Sequence, residues 1–257
     1  MGNMVVTAAR LDGIATQIAG REKMDTPQIV AGTAVSTQNL SFAYRKGVPP
    51  VIDDLTLAFP ASKMITLTGT SGSGKSTLLY LLALMIKPTG GAVLWDGVPA
   101  SSLSDAQRSR LRATDVGFIF QDALLDPARS VIANVCDSAL FSGMPRSLAL
   151  PKAEELMEKF GVSHRAEHRP GEISGGQAQR VAICRALLTN PRVIFADEPT
   201  GNLDNESAEV VWGALKQHAS TGATVVIATH NLELAALADI ELRLHVNQPA
   251  ELVHHGK

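Results

Sequence analysis

The chain has 257 residues, of which 45% are hydrophobic and 19% are charged, and its formal net charge is −2. This length and composition suit one full-sized core with room for a subdomain. The charge gives no reason to expect a nucleic-acid partner, because proteins that bind the phosphate backbone usually carry a clear basic excess. Cys136 and Cys184 lie in apolar segments, so we expect both to be buried, reduced thiols of a cytosolic protein.

No membrane-spanning segment is predicted. The longest apolar run, Leu78–Ile86, has nine residues, whereas a spanning helix needs about 20. Residues 1–34 are interpreted as an extension ahead of one domain at 35–257. Three apolar residues in this extension have helical spacing: Leu11, Ile14 and Ile18. A short amphipathic helix and a loosely ordered segment without its own function are both compatible with that pattern.

Short apolar runs alternate with helix-like runs along most of the chain, which predicts an α/β fold with a mostly parallel sheet. Runs that are almost wholly apolar and rich in β-branched residues are typical of strands buried on both faces. Three runs have this character: Met64–Thr68, Val193–Ala196 and Thr224–Ala228. Helices are predicted to begin at about Lys75 and to run from about Gln177 to Leu188.

Two regions break the alternation. Val35–Phe59, together with Ala92–Trp95, predicts a small antiparallel sheet near the N-terminus. Residues from about 122 to 180 contain helical patterns but no strand-like run, which predicts an inserted helical subdomain. Further helices are predicted from the capping-box pair Ser104 and Gln107 to about Arg112, over Val131–Phe141 and over Lys152–Phe160.

A glycine-rich segment lies between the first apolar strand and the helix that begins at Lys75. Its spacing, Gly69-Thr-Ser-Gly-Ser-Gly-Lys-Ser76, matches the loop that wraps nucleotide phosphates. Free N–H groups converge at such a turn and the helix dipole favours an anion. Lys75 is predicted to reach the β- and γ-phosphates and Ser76 to bind Mg²⁺. The predicted nucleotide-binding residues of this loop are Gly69, Thr70, Ser71, Gly72, Ser73, Gly74, Lys75, Ser76 and Thr77.

Polar side chains follow other predicted strands at the edge where α/β sheets bind ligands. Asp197 is predicted to hold Mg²⁺ through water, and Glu198 to polarise the attacking water. His230 is a candidate to orient that water and Glu198. Gln121 follows the run Val116–Phe120, and its amide is predicted to meet Mg²⁺ or the water and to sense the γ-phosphate.

Tyr44 ends the first strand-like run, 25 residues before Gly69. An exposed ring there is predicted to stack on adenine, a contact that contributes ~1–3 kcal/mol in other base–aromatic pairs. Ordinary packing is the competing interpretation of Tyr44.

The order of these motifs resembles that of the ATP-binding-cassette ATPase domain of transporters, over about Val35 to Ala238. The specific marker is the turn formed by Ser174, Gly175, Gly176 and Gln177, which other phosphate-loop enzymes lack. The resemblance implies a phosphate-loop fold and a head-to-tail dimer around two ATP molecules. In that dimer the turn of one subunit closes over the γ-phosphate held by Lys75 of the other, and Asp204 lies at the dimer seam.

Within this family, Glu198–Asp204 looks like the branch that serves lipoprotein release, macrolide export and bacterial cell division. Ala123 and Ala178 depart from that branch, which usually has an aromatic residue and a glutamine at these places. Both departures lie in or beside the region that grips the membrane partner.

Each nucleotide motif occurs once, so a complete machine needs a second ATPase subunit, expected to be an identical copy. The resemblance also implies separately encoded transmembrane permease subunits, through which alone the chain associates with the cytoplasmic face of the inner membrane. An export or mechanical-force transporter is favoured. An importer ATPase and a soluble cassette ATPase, such as one for iron–sulfur assembly, are the alternatives.

Overall fold

A computed structural model describes residues 33–246 and 248–255. The extension predicted ahead of the domain therefore lies, apart from its last two residues, outside the described residues, as does the choice between a helix and a loose segment there. The strands are β1 Thr33–Phe42, β2 Ile52–Pro60, β3 Lys63–Thr68, β4 Gly90–Trp95, β5 Val98–Pro99, β6 Val116–Ile119, β7 Val193–Asp197, β8 Thr224–Ala228, β9 Ile240–Arg243 and β10 Glu251–His254. The helices are α1 Lys75–Leu82, α2 Asp105–Asp115, α3 Val131–Val135, α4 Asp137–Ser142, α5 Arg146–Lys159, α6 Gly175–Leu187, α7 Asn205–Ser220 and α8 Leu232–Ala235.

The main sheet has the strand order β10-β9-β3-β8-β7-β6 and is parallel except at the β9–β10 pair. Side chains alternate between its two faces, as the pleat requires. On β7, Ile194 packs in the core that α6 and α7 cover, whereas Phe195 packs in the core that α1 and the smaller sheet cover. Both faces are buried, which is why these strands are apolar throughout. The predicted mostly parallel sheet is confirmed.

The smaller sheet has the order β2-β1-β4-β5 and is antiparallel throughout. It confirms the predicted antiparallel sheet at Val35–Phe59 and Ala92–Trp95 and adds the two-residue strand β5. Phe59 and Trp95 are buried against α1, and the Trp95 indole donates to the Leu82 carbonyl at 3.0 Å. This contact ties the smaller sheet to the helix that follows the glycine-rich loop.

The segment between β6 and β7 contains helices and no strand in the described residues, as predicted. The single helix predicted over 131–141 is wrong: it is two helices, because ψ at Cys136 is −5° rather than the α-helical value of about −42°. The helix α5 begins at Arg146, earlier than predicted, and contains Pro151. The subdomain bounds of about 122–180 stay a prediction.

The cysteines differ in exposure. Cys184 is buried, and burial raises the pKa of its thiol to about 12. Cys136 is only partly buried, so the prediction of a buried thiol is wrong there, because this residue lies at the break between α3 and α4. None of the helices in the described part of the chain combines the length and hydropathy that a membrane crossing requires.

Candidate active site

A cleft of about 540 Å³ opens at the carboxyl ends of β3, β7 and β8. Ligands bind at this edge of parallel sheets because the loops that follow the strands converge there. The residues that line the cleft are Tyr44, Val51, Gly69, Ser71, Gly72, Gly74, Lys75, Ser76, Thr77, Gln121, Asp197, Glu198, Gly201, Asn202 and His230. The fold therefore brings together residues that the sequence separates by more than 180 positions.

The glycine-rich loop between β3 and α1 has a backbone that requires glycine. Gly69, Gly72 and Gly74 have φ of 138°, 80° and 96°, which glycine adopts without steric strain. At Gly69 a side chain is also excluded by space, because a Cβ would lie 2.2 Å from the Leu244 carbonyl oxygen. The first turn of α1 has no side-chain cap. Its N–H groups are therefore available to an anion in the cleft.

Lys75 is the first residue of α1, and its ammonium donates to the carbonyl oxygens of Gly69 at 2.8 Å and Thr70 at 3.2 Å. These bonds hold a positive charge against the loop. Two predicted binding residues of this loop do not line the cleft. Thr70 supplies the carbonyl to Lys75, and Ser73 is 3% exposed, with no partner for its hydroxyl in the described part of the chain.

Asp197 ends β7 and is buried beside Ser76. Burial raises the pKa of its carboxyl, the Ser76 hydrogen bond opposes this increase, and the charge of Glu198 adds to it. A carboxylate beside a hydroxyl is a hard oxygen donor set of the kind that Mg²⁺ accepts, with phosphate and water completing its shell. Within residues 33–246 and 248–255, no group of three or more His, Cys, Asp or Glu could hold a metal ion. The two oxygen donors of Asp197 and Ser76 fit a Mg²⁺ ion that is bound together with nucleotide phosphates.

Glu198 and His230 meet at the wall of the cleft. Glu198 has a φ of 47°, which is uncommon for a residue other than glycine, and its N–H donates to the Ala228 carbonyl on β8 at 2.9 Å. The Nδ1 of His230 lies 3.0 Å from a carboxylate oxygen of Glu198. The Glu198 side chain is 14% exposed and that of His230 is 75% exposed. The site thus presents a largely buried carboxylate in contact with an exposed imidazole.

Tyr44 follows β1 and Gln121 follows β6, and both residues line the same cleft. The Tyr44 ring is 66% exposed and packs edge-on against Phe42 with 5.0 Å between ring centroids. Its hydroxyl is 2.7 Å from the Thr77 hydroxyl on α1. Gln121 is exposed two residues after β6. The exposed part of the Tyr44 ring and the exposed Gln121 side chain both line the cleft and are therefore accessible to a ligand.

The turn at Ser174–Gln177 does not line the cleft. Ser174 caps α6: its hydroxyl accepts from the Gln177 N–H at 3.2 Å, and the Gln177 side chain accepts from the Ser174 N–H at 3.0 Å. Within residues 33–246 and 248–255, no heavy atom beyond the chain neighbours and the backbone of α6 lies within 4 Å of the position of a Gly175 Cβ, whereas at Gly176 the Asn202 carbonyl oxygen is 3.2 Å away. One side of the turn packs on its own chain and the other side is open.

Asp204 caps α7 beside this turn. Its carboxylate accepts from the Ser207 N–H at 2.8 Å, and the backbone bond is the main cause that lowers the pKa of this carboxyl. Arg180 on α6 donates to the Ser207 hydroxyl at 3.0 Å. The hydrogen bond between Arg180 and Ser207 thereby joins α6 to the start of α7.

Sequence reasoning missed three residues that line the cleft. Gly201 and Asn202 carried a signal, because they lie only three and four residues beyond Glu198, but in sequence that signal pointed to a branch of the family and not to the cleft. Val51 carried no signal, since an apolar residue between two strands is unremarkable in sequence. It reaches the cleft because β2 passes close to Gly74, where a Cβ would lie 2.8 Å from Val51.

These features define the class of phosphate-loop nucleotide hydrolases, with a further helix N-terminus, the Ser174–Gln177 turn, outside the cleft. Residues 52–201 match the family described as ABC transporter. The chain belongs to this family.

Two relatives are more than two fifths identical to this chain over the aligned residues. The lipoprotein-releasing system ATP-binding protein LolD 2 of Rhodopseudomonas palustris is 42% identical over 203 residues, which cover 79% of this chain and 88% of that protein. The LolD of Paramagnetospirillum magneticum is 43% identical over 204 residues, covering 78% and 90%. The chain therefore spans nearly the whole length of these relatives.

Solved structures agree with this assignment. The dimeric structure of MJ0796, a bacterial ABC transporter cassette, has a TM-score of 0.79 and 30% identity and covers 87% of this chain and 99% of that one. A second dimeric structure of MJ0796, in a post-hydrolysis state bound to ADP and Pi, matches equally well. The predicted family, fold class and activity are confirmed: the chain is the ATP-binding and ATP-hydrolysing subunit of an ABC transporter.

Proposed function

We propose that this ATPase drives a transporter of the export or mechanical-force type that releases lipoproteins from a membrane. The observation that carries this proposal is the identity of the relatives, which are lipoprotein-releasing system ATP-binding proteins with 42–43% identity over most of both chains. The segment Glu198–Asp204 supports the same branch.

The residues of the cleft have distinct roles in this proposal. Tyr44 stacks on the adenine, and the glycine-rich loop with Lys75 binds the phosphates. Ser76, Asp197 and Gln121 hold Mg²⁺, which when bound neutralises charge on the transferring phosphoryl group. These are positioning and electrostatic roles, which dominate phosphoryl transfer.

Hydrolysis itself rests on the contact between Glu198 and His230. Glu198 orients and polarises the water that attacks the γ-phosphate. His230 holds the Glu198 carboxylate in place at 3.0 Å. Because the Glu198 side chain is largely buried, its charge acts in a low-dielectric wall, where it is less screened than in water.

Two copies of the chain bind head to tail around two ATP molecules. Ser174–Gln177 of each copy closes over the γ-phosphate held by the other, and Asp204 lies at the seam. Two features support this arrangement: the turn is a helix N-terminus that does not line its own cleft, and the similar cassette MJ0796 is dimeric.

Transmembrane permease subunits complete the machine, and the chain lies at the cytoplasmic face of the inner membrane through them. The formal net charge of −2 gives no basis for nucleic-acid binding.

The test is to tag the full chain in its native host, solubilise the membranes gently and identify what co-purifies. A partner with about four spanning helices and a large extracytoplasmic domain supports the proposal. A permease with many helices and a binding protein indicates an importer. The chain in the soluble fraction without a membrane partner contradicts the proposal and favours a soluble cassette ATPase.

A further inference from the structure

The backbone just after Gln121 is strained. Ala123 and Leu124 have φ of 57° and 46°, in the left-handed region where a Cβ crowds the following carbonyl oxygen. Neither residue is glycine, asparagine or aspartate, the types that enter this region most readily. Two consecutive residues in this conformation persist only where their surroundings hold them.

One helix supplies the groups that hold this segment. Arg185 on α6 donates to the Ala123 carbonyl at 2.7 Å and to the Leu124 carbonyl at 2.8 Å. Gln179 on the same helix is 1% exposed and donates to the Phe120 carbonyl at 3.2 Å. The three bonds lie on both sides of Gln121 in sequence. The backbone that carries Gln121 is therefore fixed to α6.

An arginine at position 185 has a desolvation cost, because its guanidinium is partly removed from water. Burial lowers the pKa of its guanidinium, and no carboxylate of the described residues lies within 4.0 Å of it. Its identified partners are the two carbonyl oxygens. An apolar residue of similar length would avoid burying a charge. The planar guanidinium, however, can hold two neighbouring carbonyls at once, which the point charge of a lysine does less well.

The same helix begins at the turn Ser174–Gln177. We propose that Arg185, assisted by Gln179, is a positioning residue that locks Gln121 to α6, so that Gln121 and the Ser-Gly-Gly-Gln turn move as one body. This inference rests on the proposed roles of Gln121 and of the turn. It also assigns a role to the left-handed conformation of Ala123 and Leu124. This conformation lets the chain turn sharply enough after Gln121 for the carbonyl oxygens of both residues to reach the Arg185 guanidinium.

The test compares Arg185→Met, Arg185→Lys and Ala123→Gly, alone and combined, in the full chain. ATP turnover, KM for ATP and the midpoint of thermal unfolding are measured for each. Arg185→Met is expected to lower kcat by about tenfold or more, since small misplacements near a reacting centre are costly, with little change in KM. Arg185→Lys is expected to fall between it and the wild type. Arg129→Met, which removes an exposed arginine of the same region that pairs with Asp137, is the matched control and keeps its turnover.

Recovery of turnover on adding Ala123→Gly distinguishes a positioning role of Arg185 from a role in stabilising α6. Glycine at position 123 adopts positive φ freely, so Ala123→Gly is expected to restore part of the turnover lost in either Arg185 variant. A structural role of Arg185 in α6 would not respond to that change. If Arg185→Met does not fold, the Arg185→Lys pair with and without Ala123→Gly gives the answer.

Two results from the Arg185 variants alone overturn the inference: turnover of Arg185→Met within about twofold of wild type, or a loss that Ala123→Gly does not relieve. Both are distinct from failure of the proposed roles. If Gln121→Ala keeps normal turnover while the wild type hydrolyses ATP, the role of Gln121 fails. A loss in Arg185→Met together with a normal Gln121→Ala also contradicts the lock.

Discussion

The cleft and the Ser174–Gln177 turn are both built on helix N-termini, yet only the cleft is complete within one chain. The loop before α1 faces Asp197, Glu198 and His230 of the same chain across about 540 Å³. The turn before α6 has an open side, where a Gly175 Cβ would meet no atom of another described segment within 4 Å. The glycine-rich loop has Glu198 and His230 beside it, whereas the turn does not line that cleft. This difference supports the proposal that the turn acts on a nucleotide held by another copy.

The largest effect is expected from a substitution at Glu198, which should impair ATP hydrolysis while ATP binding is retained. Glu198→Gln keeps a hydrogen-bonding group beside His230 but removes the charge that polarises water. We expect kcat to fall by about 10²–10⁴-fold, while ATP still binds and the ATP-bound dimer accumulates. Phosphate release and size-exclusion chromatography with ATP measure these two outcomes. Glu233→Gln, an exposed carboxylate three residues beyond His230, is the control, and near-normal turnover of Glu198→Gln would overturn the assignment.

The next effect acts on binding. Lys75→Ala removes the ammonium that lies on the glycine-rich loop. A charge-assisted hydrogen bond contributes about 1.5–3 kcal/mol, so we expect ATP affinity to fall by about 10- to 100-fold, measured by equilibrium titration with a fluorescent ATP analogue. Lys63→Ala, which breaks an exposed pair with Asp239, leaves affinity unchanged. Unaltered affinity in Lys75→Ala would count against a phosphate-binding loop.

The third prediction tests the open side of the turn. Gly175→Val has room in the single chain but places a side chain where the partner's γ-phosphate is proposed to lie. Turnover should fall by about tenfold or more, with ATP affinity and thermal stability unchanged.

Mixing subunits sharpens that test. An equal mixture of Gly175→Val and Lys75→Ala chains forms heterodimers in which one of the two sites is intact. Random pairing makes half of the dimers heterodimers, and each heterodimer has one intact site out of two. About a quarter of wild-type turnover is therefore expected to return. If the mixture stays as inactive as its components, the two motifs do not act across a dimer.

The same comparison explains what the sequence could predict. The glycine-rich loop, β3, β7 and β8 have strong local signals, because a strand buried on both faces must be apolar and a phosphate turn must contain glycine at fixed places. The Ser174 capping box is equally local. Elements and residues defined by neighbours along the chain were therefore predictable.

The rest depends on distant contacts. The strand β9 was not predicted because Glu241 and Arg243 look like loop residues in sequence. In the fold Glu241 is buried, with its carboxylate accepting from Thr68 at 2.7 Å and from Arg243 at 3.0 Å. The Thr68 contact joins residues 173 positions apart. No short sequence pattern indicates that a buried Glu241 will be hydrogen-bonded by a residue so distant along the chain. Val51 at the cleft is a second case, since only the packing of β2 brings it there.

The smallest effect distinguishes the two interpretations of Tyr44. If the ring stacks on adenine, Tyr44→Ala should weaken ATP binding by about fivefold, the lower end of base–aromatic stacking, because the ring is exposed on one side. Tyr44→Phe keeps the ring and loses only the contact with the Thr77 hydroxyl, so its ATP affinity should stay near that of the wild type. The ratio of ATP to inorganic triphosphate affinity isolates the base, since triphosphate lacks adenine and should bind all three proteins equally. If both variants lose affinity alike, the hydroxyl rather than the ring is what matters, because a bond to Thr77 on α1 then supports the phosphate loop instead of the base.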